Sequence, residues 1–171
     1  LDRFVDLPPA VLAQIASTDP SALAAFARGL PKDVGALETF MAELKAAMDN
    51  ETLLVSCMLA NNETGVIFPL EQICRIAKEH GVFVHTDAVQ AVGKIPLDFS
   101  RLPVDLAAFS GHKFHAPKGV GGLFVRRGLK IRPFLIGGHQ ERSRRGGTEN
   151  LASIVGLGRA AELASGRLTD E

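Results

Sequence analysis

Apolar and polar positions along this chain follow two rhythms in turn. From Gly35 to Met48, the residues Leu37, Phe40, Met41, Leu44 and Met48 recur at helical spacing, which predicts an amphipathic helix packed on a sheet. Leu53 to Leu59 is an apolar run of strand length that ends in the polar stretch Ala60-Asn61-Asn62-Glu63-Thr64-Gly65. After Pro69, the residues Leu70, Ile73, Cys74 and Ala77 draw a second helical face, and Gly81 closes it before a strand from Val82 to Thr86. Strand, helix and strand of this length predict a βαβ unit with parallel strands and a right-handed crossover. Leu106 to Phe109 reads as a short buried strand, Gly122 to Val125 as a fourth strand, and Leu151, Ile154, Val155 and Gly158 as the packing face of a last helix. Upstream, Val11, Leu12 and Ile15 follow Pro8-Pro9, and Leu23, Phe26 and Ala27 follow Asp19-Pro20. These are helical patches with no chemical motif, so residues 1–34 are an unassigned helical N-terminal segment.

Composition narrows the classes. The chain has 171 residues, 46% of them hydrophobic, enough for one domain with a real core. Nineteen basic side chains balance nineteen acidic ones, which gives no general attraction to nucleic acid or to an anionic membrane. The sequence holds no apolar stretch long enough to span a bilayer and no basic-then-apolar leader. Two cysteines, Cys57 and Cys74, make no disulfide framework, so a reducing, cytoplasmic setting is expected. A first residue of Leu1 rather than methionine suggests a piece of a longer protein or a processed chain.

The polar residues gather where the strands end. In an open α/β sheet, ligands sit beyond the carboxyl ends of the strands. Three such ends carry Asn62, then Asp87 with Gln90, then Ser110 to Lys113. Lys113 lies between His112 and His115 in a loop that Pro117, Gly119, Gly121 and Gly122 keep from becoming a long helix. Most lysines are solvated surface charges. The chemical alternative is a partly desolvated amine that forms a Schiff base with a carbonyl cofactor. Farther on, Arg126 to Asn150 is a basic, glycine-rich connection, and Gly146-Gly147-Thr148 ahead of a helix could offer N–H groups and a hydroxyl to a phosphate.

A phosphorylated pyridine aldehyde would use these residues together. Lys113 supplies the amine, and Asp87 a carboxylate that keeps the ring nitrogen protonated. Asn62 and Gln90 could meet the ring hydroxyl, and Ser110, His112 and Thr148 the phosphate. Asp87 read alone is equally a cap or turn carboxylate, and Asn62 and Gln90 ordinary turn polarity.

The segments ANNETGVIFPLEQI, HTDAVQAVGKIPLDF, VDLAAFSGHKFHAPKGVGGLFVRRG and LIGGHQERSRRGGTEN resemble those of NifS-type cysteine desulfurases, in the class V aminotransferase family. The resemblance runs from about Leu37 to about Ala164 and rests on four motifs in order. It implies a three-layer α/β/α, mostly parallel sheet, with residues 35–171 as part of the large domain of fold-type I transferases that depend on pyridoxal 5'-phosphate. It implies that Lys113 holds the cofactor, Asp87 pairs with the pyridine nitrogen, Gln90 and Asn62 contact the ring oxygen, and Ser110 and His112 contact the phosphate. Thr148 matches a threonine that reaches the phosphate of the neighbouring subunit's cofactor, which implies a homodimer. The implied reaction takes L-cysteine to L-alanine and passes sulfur, as a persulfide on a cysteine, toward an acceptor protein or scaffold for iron–sulfur clusters or nitrogenase maturation.

Parts of the family pattern have no counterpart in this sequence. The sulfur-accepting cysteine, the substrate-binding arginine, a ring-stacking histidine, the N-terminal strands and the C-terminal small domain are all expected outside it, and so the fragment is expected to be inactive by itself. Cys57 in a strand and Cys74 on a helix face read as small buried residues rather than reactive thiols. The alternatives are another class V enzyme, such as a selenocysteine lyase or an aminotransferase, and a metal site built from His85, Asp87, His112, His115 and His139. The metal alternative leaves Lys113 unexplained, and a nucleic-acid role for the basic loop lacks nearby aromatic residues.

Overall fold

The computed structural model describes Phe4–Val5 and residues 34–168. The helical patches read at Val11–Ile15 and Leu23–Ala27 lie outside the described residues. Strand β1 (Phe4–Val5) pairs in parallel with β6 (Lys130–Ile131). The main sheet has the order β2 (Leu54–Met58), β3 (Phe83–Asp87), β4 (Leu106–Ser110), β5 (Gly121–Val125). Its first three strands are parallel, and β5 runs antiparallel along β4. This is the mixed, mostly parallel α/β arrangement that the βαβ pattern predicts.

Helix α1 (Val34–Ala47) and helix α2 (Leu70–Glu79) cover one face of the sheet. The stripe read from the sequence in α2 is the stripe that is buried: Leu70, Ile73, Cys74 and Ala77 are at most 3% exposed. Leu70, Cys74 and Ala77 pack with Val84, Ala107 and Val104, and each large side chain so buried contributes about 2 kcal/mol. On α1, Phe40 closes a second cluster with Phe68 and Ile73.

The end of α2 sets the start of β3. Gly81 adopts a left-handed φ of 69°, so the Gly81 N–H reaches the Lys78 carbonyl at 3.1 Å and the Val82 N–H reaches Ala77 at 2.9 Å. This closing pattern consumes Val82, and the strand expected over Val82–Thr86 therefore runs Phe83–Asp87. Asp87 becomes the last residue of the strand rather than part of the loop.

Helix α3 (Leu151–Arg167) departs from its expected packing. The stripe Leu151, Ile154 and Val155 is 70%, 38% and 65% exposed, and the buried contacts come instead from Leu157 and Ala160 against Phe114 and Ala116. The helix meets the turn after β4 rather than the sheet, and the position of that turn along the helix selects the face. Its start follows local rules, with the Asn150 side chain accepting from the Ser153 N–H at 3.2 Å.

Candidate functional site

The parallel register brings the ends of three strands together. Asp87 lies between Met58 on β2 and Ala108 on β4, with the Leu59 N–H donating to the Asp87 carbonyl at 2.9 Å and the Ala88 N–H to Ala108 at 2.8 Å. The chain beyond Met58 carries Asn62, and the chain beyond Ala108 carries Ser110, His112 and Lys113. These residues therefore stand at one end of the sheet, as topology requires of parallel neighbours.

The lysine turn is anchored by its two ends. Ser110 finishes β4, and Gly111–Phe114 forms one 3₁₀ turn in which Gly111 and Phe114 are buried while His112 and Lys113 are exposed. Gly111 has no room for a side chain: a Cβ there would come within 2.8 Å of Leu157 Cδ1 and 2.9 Å of the Val120 carbonyl oxygen. Phe114 extends an aromatic row through Phe109 to Phe99 and Phe124, with centroid separations of 6.4, 6.3 and 5.4 Å. His115 then takes a left-handed φ of 70°, unusual for a residue with a Cβ, and ends the turn. The partly desolvated amine expected at Lys113 is corrected by this geometry. Burial of the flanking Gly111 and Phe114 directs Lys113 outward, so any desolvation has to come from a ligand or from further polypeptide.

Each remaining candidate has a definite place. One Asp87 carboxylate oxygen accepts from the Val89 N–H at 2.9 Å, and the side chain is half-buried. Ser110 Oγ and His112 Nδ1 are 2.8 Å apart, a hydroxyl–imidazole pair at the mouth of the turn. Gln90 presents its Oε1 to Lys94 Nζ, one helical turn along. Asn61, not Asn62, organises the loop after β2: its Oδ1 accepts from Glu63 N–H at 2.9 Å and Thr64 N–H at 3.0 Å, which leaves Asn62 exposed. Thr148 is exposed on the loop before α3, where the Gly146 N–H donates to the Leu135 carbonyl at 2.6 Å.

A cavity of about 630 Å³ opens beside Lys113, walled by Gly93, Lys94, Phe114, His115 and the last turns of α3. Asn62, Asp87, Gln90, Ser110, His112 and Thr148 do not line it. The strand ends place the lysine and the carboxylate at one edge of the sheet, while this cavity belongs to the α3 side of the lysine turn.

The metal alternative is not sustained. Among the described residues no group of three or more His, Cys, Asp or Glu side chains comes together to hold an ion. Three of the four histidines of that alternative instead pair singly with serines: His85 Nδ1 with Ser56 Oγ at 2.8 Å, His112 with Ser110, and His139 with Ser143 at 3.2 Å. The Ser56–His85 pair is the feature that sequence reading misses. Its two members are 29 residues apart, and only the β2–β3 register sets them opposite each other.

The cysteines behave as core residues. Burial pushes the Cys57 thiol up to about 12, helped by Cys74. Burial also pushes Cys74 up to about 11, with Asp105 adding to it. Neither thiol is a nucleophile at neutral pH.

Fold and strand-end chemistry together define an α/β protein with an amine, a carboxylate and a hydroxyl–imidazole pair at one sheet edge. Residues 28–169 match the family described as aminotransferase class-V, and the chain belongs to that family. It is 58% identical over 128 residues to "Cysteine desulfurase 2" of Trichormus variabilis (strain ATCC 29413 / PCC 7937), covering 75% of this chain and 32% of that protein. It is 56% identical over 117 residues to "Cysteine desulfurase NifS" of Azotobacter vinelandii, covering 68% and 29% respectively. A solved structure described as a NifS-like protein superposes with a TM-score of 0.76 at 42% identity, over 95% of this chain and 44% of that one. The chain thus spans about a third of the length of the curated relatives it matches.

Proposed function

We propose that this chain is the cofactor-holding part of a cysteine desulfurase that depends on pyridoxal 5'-phosphate, with residues 35–171 as part of its large domain. The observation that carries this reading is the placement of Lys113 in a turn after β4, next to the strand that ends in Asp87, within a family member whose relatives are named cysteine desulfurases. The donor set fits the group: a primary amine for the aldehyde carbon, a carboxylate with one oxygen not engaged by Val89 for the ring nitrogen, and Ser110 with His112 for the phosphate. When bound, the cofactor supplies an electron sink for the substrate's α-carbon.

The chain's own residues have separate tasks. Asp87 holds a proton on the ring nitrogen through charge. Lys113 Nζ would hold the cofactor through its aldehyde carbon and, as a free amine, would carry protons to and from the substrate. Asn62 and the Gln90 amide orient the ring oxygen. The net reaction converts L-cysteine and a cysteine thiol to L-alanine and a persulfide, which serves iron–sulfur cluster or nitrogenase maturation through an acceptor protein. Cys57 and Cys74 are not that thiol, because both are held protonated in the core.

The reading includes a homodimer in which Thr148 reaches the neighbouring cofactor's phosphate. Phe134, Leu135 and Ile136, at 73%, 51% and 93% exposed, form an apolar run joined to the Thr148 loop through the Gly146–Leu135 hydrogen bond, and such a run is suited to burial against a second subunit. The test of the whole reading is to mix the chain with pyridoxal 5'-phosphate, reduce with borohydride and map the adduct by mass spectrometry. The adduct is expected on the Lys113 peptide and absent from Lys113→Ala. An adduct confined to Lys94 or Lys118, or none, overturns the assignment.

A further inference from the structure

Below Asp87, on the same face of the sheet, lies a polar pair that the proposed cofactor contacts do not use. Residues i and i+2 of a strand share a face, so His85 and Asp87 project side by side, about 7 Å apart along β3. Around Asp87 the register neighbours are Met58 and Ala108. Around His85 they are Ser56, whose Oγ meets His85 Nδ1 at 2.8 Å, and Leu106, which is 5% exposed. The ground beneath the carboxylate is therefore Met58, Leu106 and Ala108, plus one hydrogen-bonded imidazole.

We propose that His85, held by Ser56, is a positioning residue for Asp87: it fills the neighbouring place on the strand with a hydrogen-bonded imidazole that does not form an ion pair with the carboxylate, leaving its charge for the cationic ring of the cofactor. This inference rests on the cofactor reading above and adds to it a residue that touches no cofactor atom. Burial holds the imidazole below its ordinary value against the opposing pull of Asp87, which agrees with a neutral ring at this place. A cation there would stabilise the carboxylate from behind and compete with the pyridinium. A cation that approaches the carboxylate to within about 4–6 Å alters its interactions by about 1.4 kcal/mol or more, about tenfold in an equilibrium that depends on its charge.

The experiment is an absorbance titration of the chain with pyridoxal 5'-phosphate at pH 7.5, run on the wild type, His85→Gln, His85→Lys and Ser56→Lys, each checked by its urea midpoint. His85→Gln keeps a neutral side chain able to bond Ser56 and should bind within about twofold of wild type. His85→Lys should weaken binding by about tenfold or more. Ser56 is exposed, so Ser56→Lys is expected to fold even if His85→Lys does not, and it should weaken binding severalfold by removing the hydroxyl and adding a cation. Lysine variants that bind as tightly as wild type overturn the inference. So does a His85→Gln protein that binds as weakly as His85→Lys, because the imidazole would then act through its own shape rather than its charge. Wild-type protein that fails to bind pyridoxal 5'-phosphate defeats the cofactor reading and this inference with it, whereas tight wild-type binding with unchanged lysine variants defeats this inference alone.

Discussion

Thr86 and Cys57 face each other across β3 and β2, both turned toward the helical side of the sheet, and the Thr86 hydroxyl, fully buried, finds no hydrogen-bond partner. A hydroxyl desolvated without a partner costs about 1–3 kcal/mol. Thr86→Val replaces it with a methyl group of similar shape and should raise unfolding stability by about 1 kcal/mol, read as a higher urea midpoint with an unchanged slope. A lower midpoint would mean that the hydroxyl is bonded in solution.

The neighbouring thiols lead to a second expectation. Cys57 and Cys74 titrate far above an ordinary thiol, at about 12 and about 11, so they should react slowly with a thiol reagent at pH 8 until urea unfolds the chain. Their folded values exceed the unfolded value of 9.0, so the stability they favour is fully present below pH 9 and is lost as pH rises toward 11 to 12. Labelling of either thiol in the native protein at the rate of a free cysteine would contradict this.

His85 acts at the other end of the pH scale. Its folded value lies below the unfolded value of 6.5, chiefly through burial, so below that pH the unfolded chain binds a proton that the folded chain refuses. Stability is present above about pH 6.5 and is lost as pH falls through the folded value. Urea midpoints measured from pH 7.5 down to pH 5 should therefore fall more steeply for the wild type than for His85→Gln. Parallel curves would remove His85 as the source.

Gly111 offers a steric test of the lysine turn. A methyl group there would press on Leu157 Cδ1 at 2.8 Å, the Val120 carbonyl oxygen at 2.9 Å and Ala116 Cβ at 3.0 Å. Gly111→Ala should destabilise by about 1–3 kcal/mol, because the carbonyl oxygen belongs to backbone that cannot give way cheaply. The same change displaces the turn that presents Lys113, so borohydride labelling of Lys113 should fall with it. Gly119→Ala is the contrasting control. No atom lies within 4 Å of its added Cβ, and only its φ of 85° opposes the substitution.

Much of this architecture was legible in the order of the residues because it depends on local periodicity. The buried stripe of α2 and the four main strands follow from spacing, since a helix or strand shows its apolar positions at its own period whatever surrounds it. The strand-end logic also carries Asp87, Ser110 and Lys113 to one end of the sheet, because parallel strands present their carboxyl ends together.

Tertiary contacts decided the rest, because they are made between segments whose separation along the chain says nothing about their distance in space. The β2–β3 register alone sets Ser56 against His85. The position of the Phe114 turn along α3 covers the face that carries Leu157 and Ala160 and leaves the opposite stripe, with Leu151 and Val155, to solvent. The exposure of Lys113 was equally beyond the sequence, since burial of Gly111 and Phe114 on either side determines which way the intervening amine points.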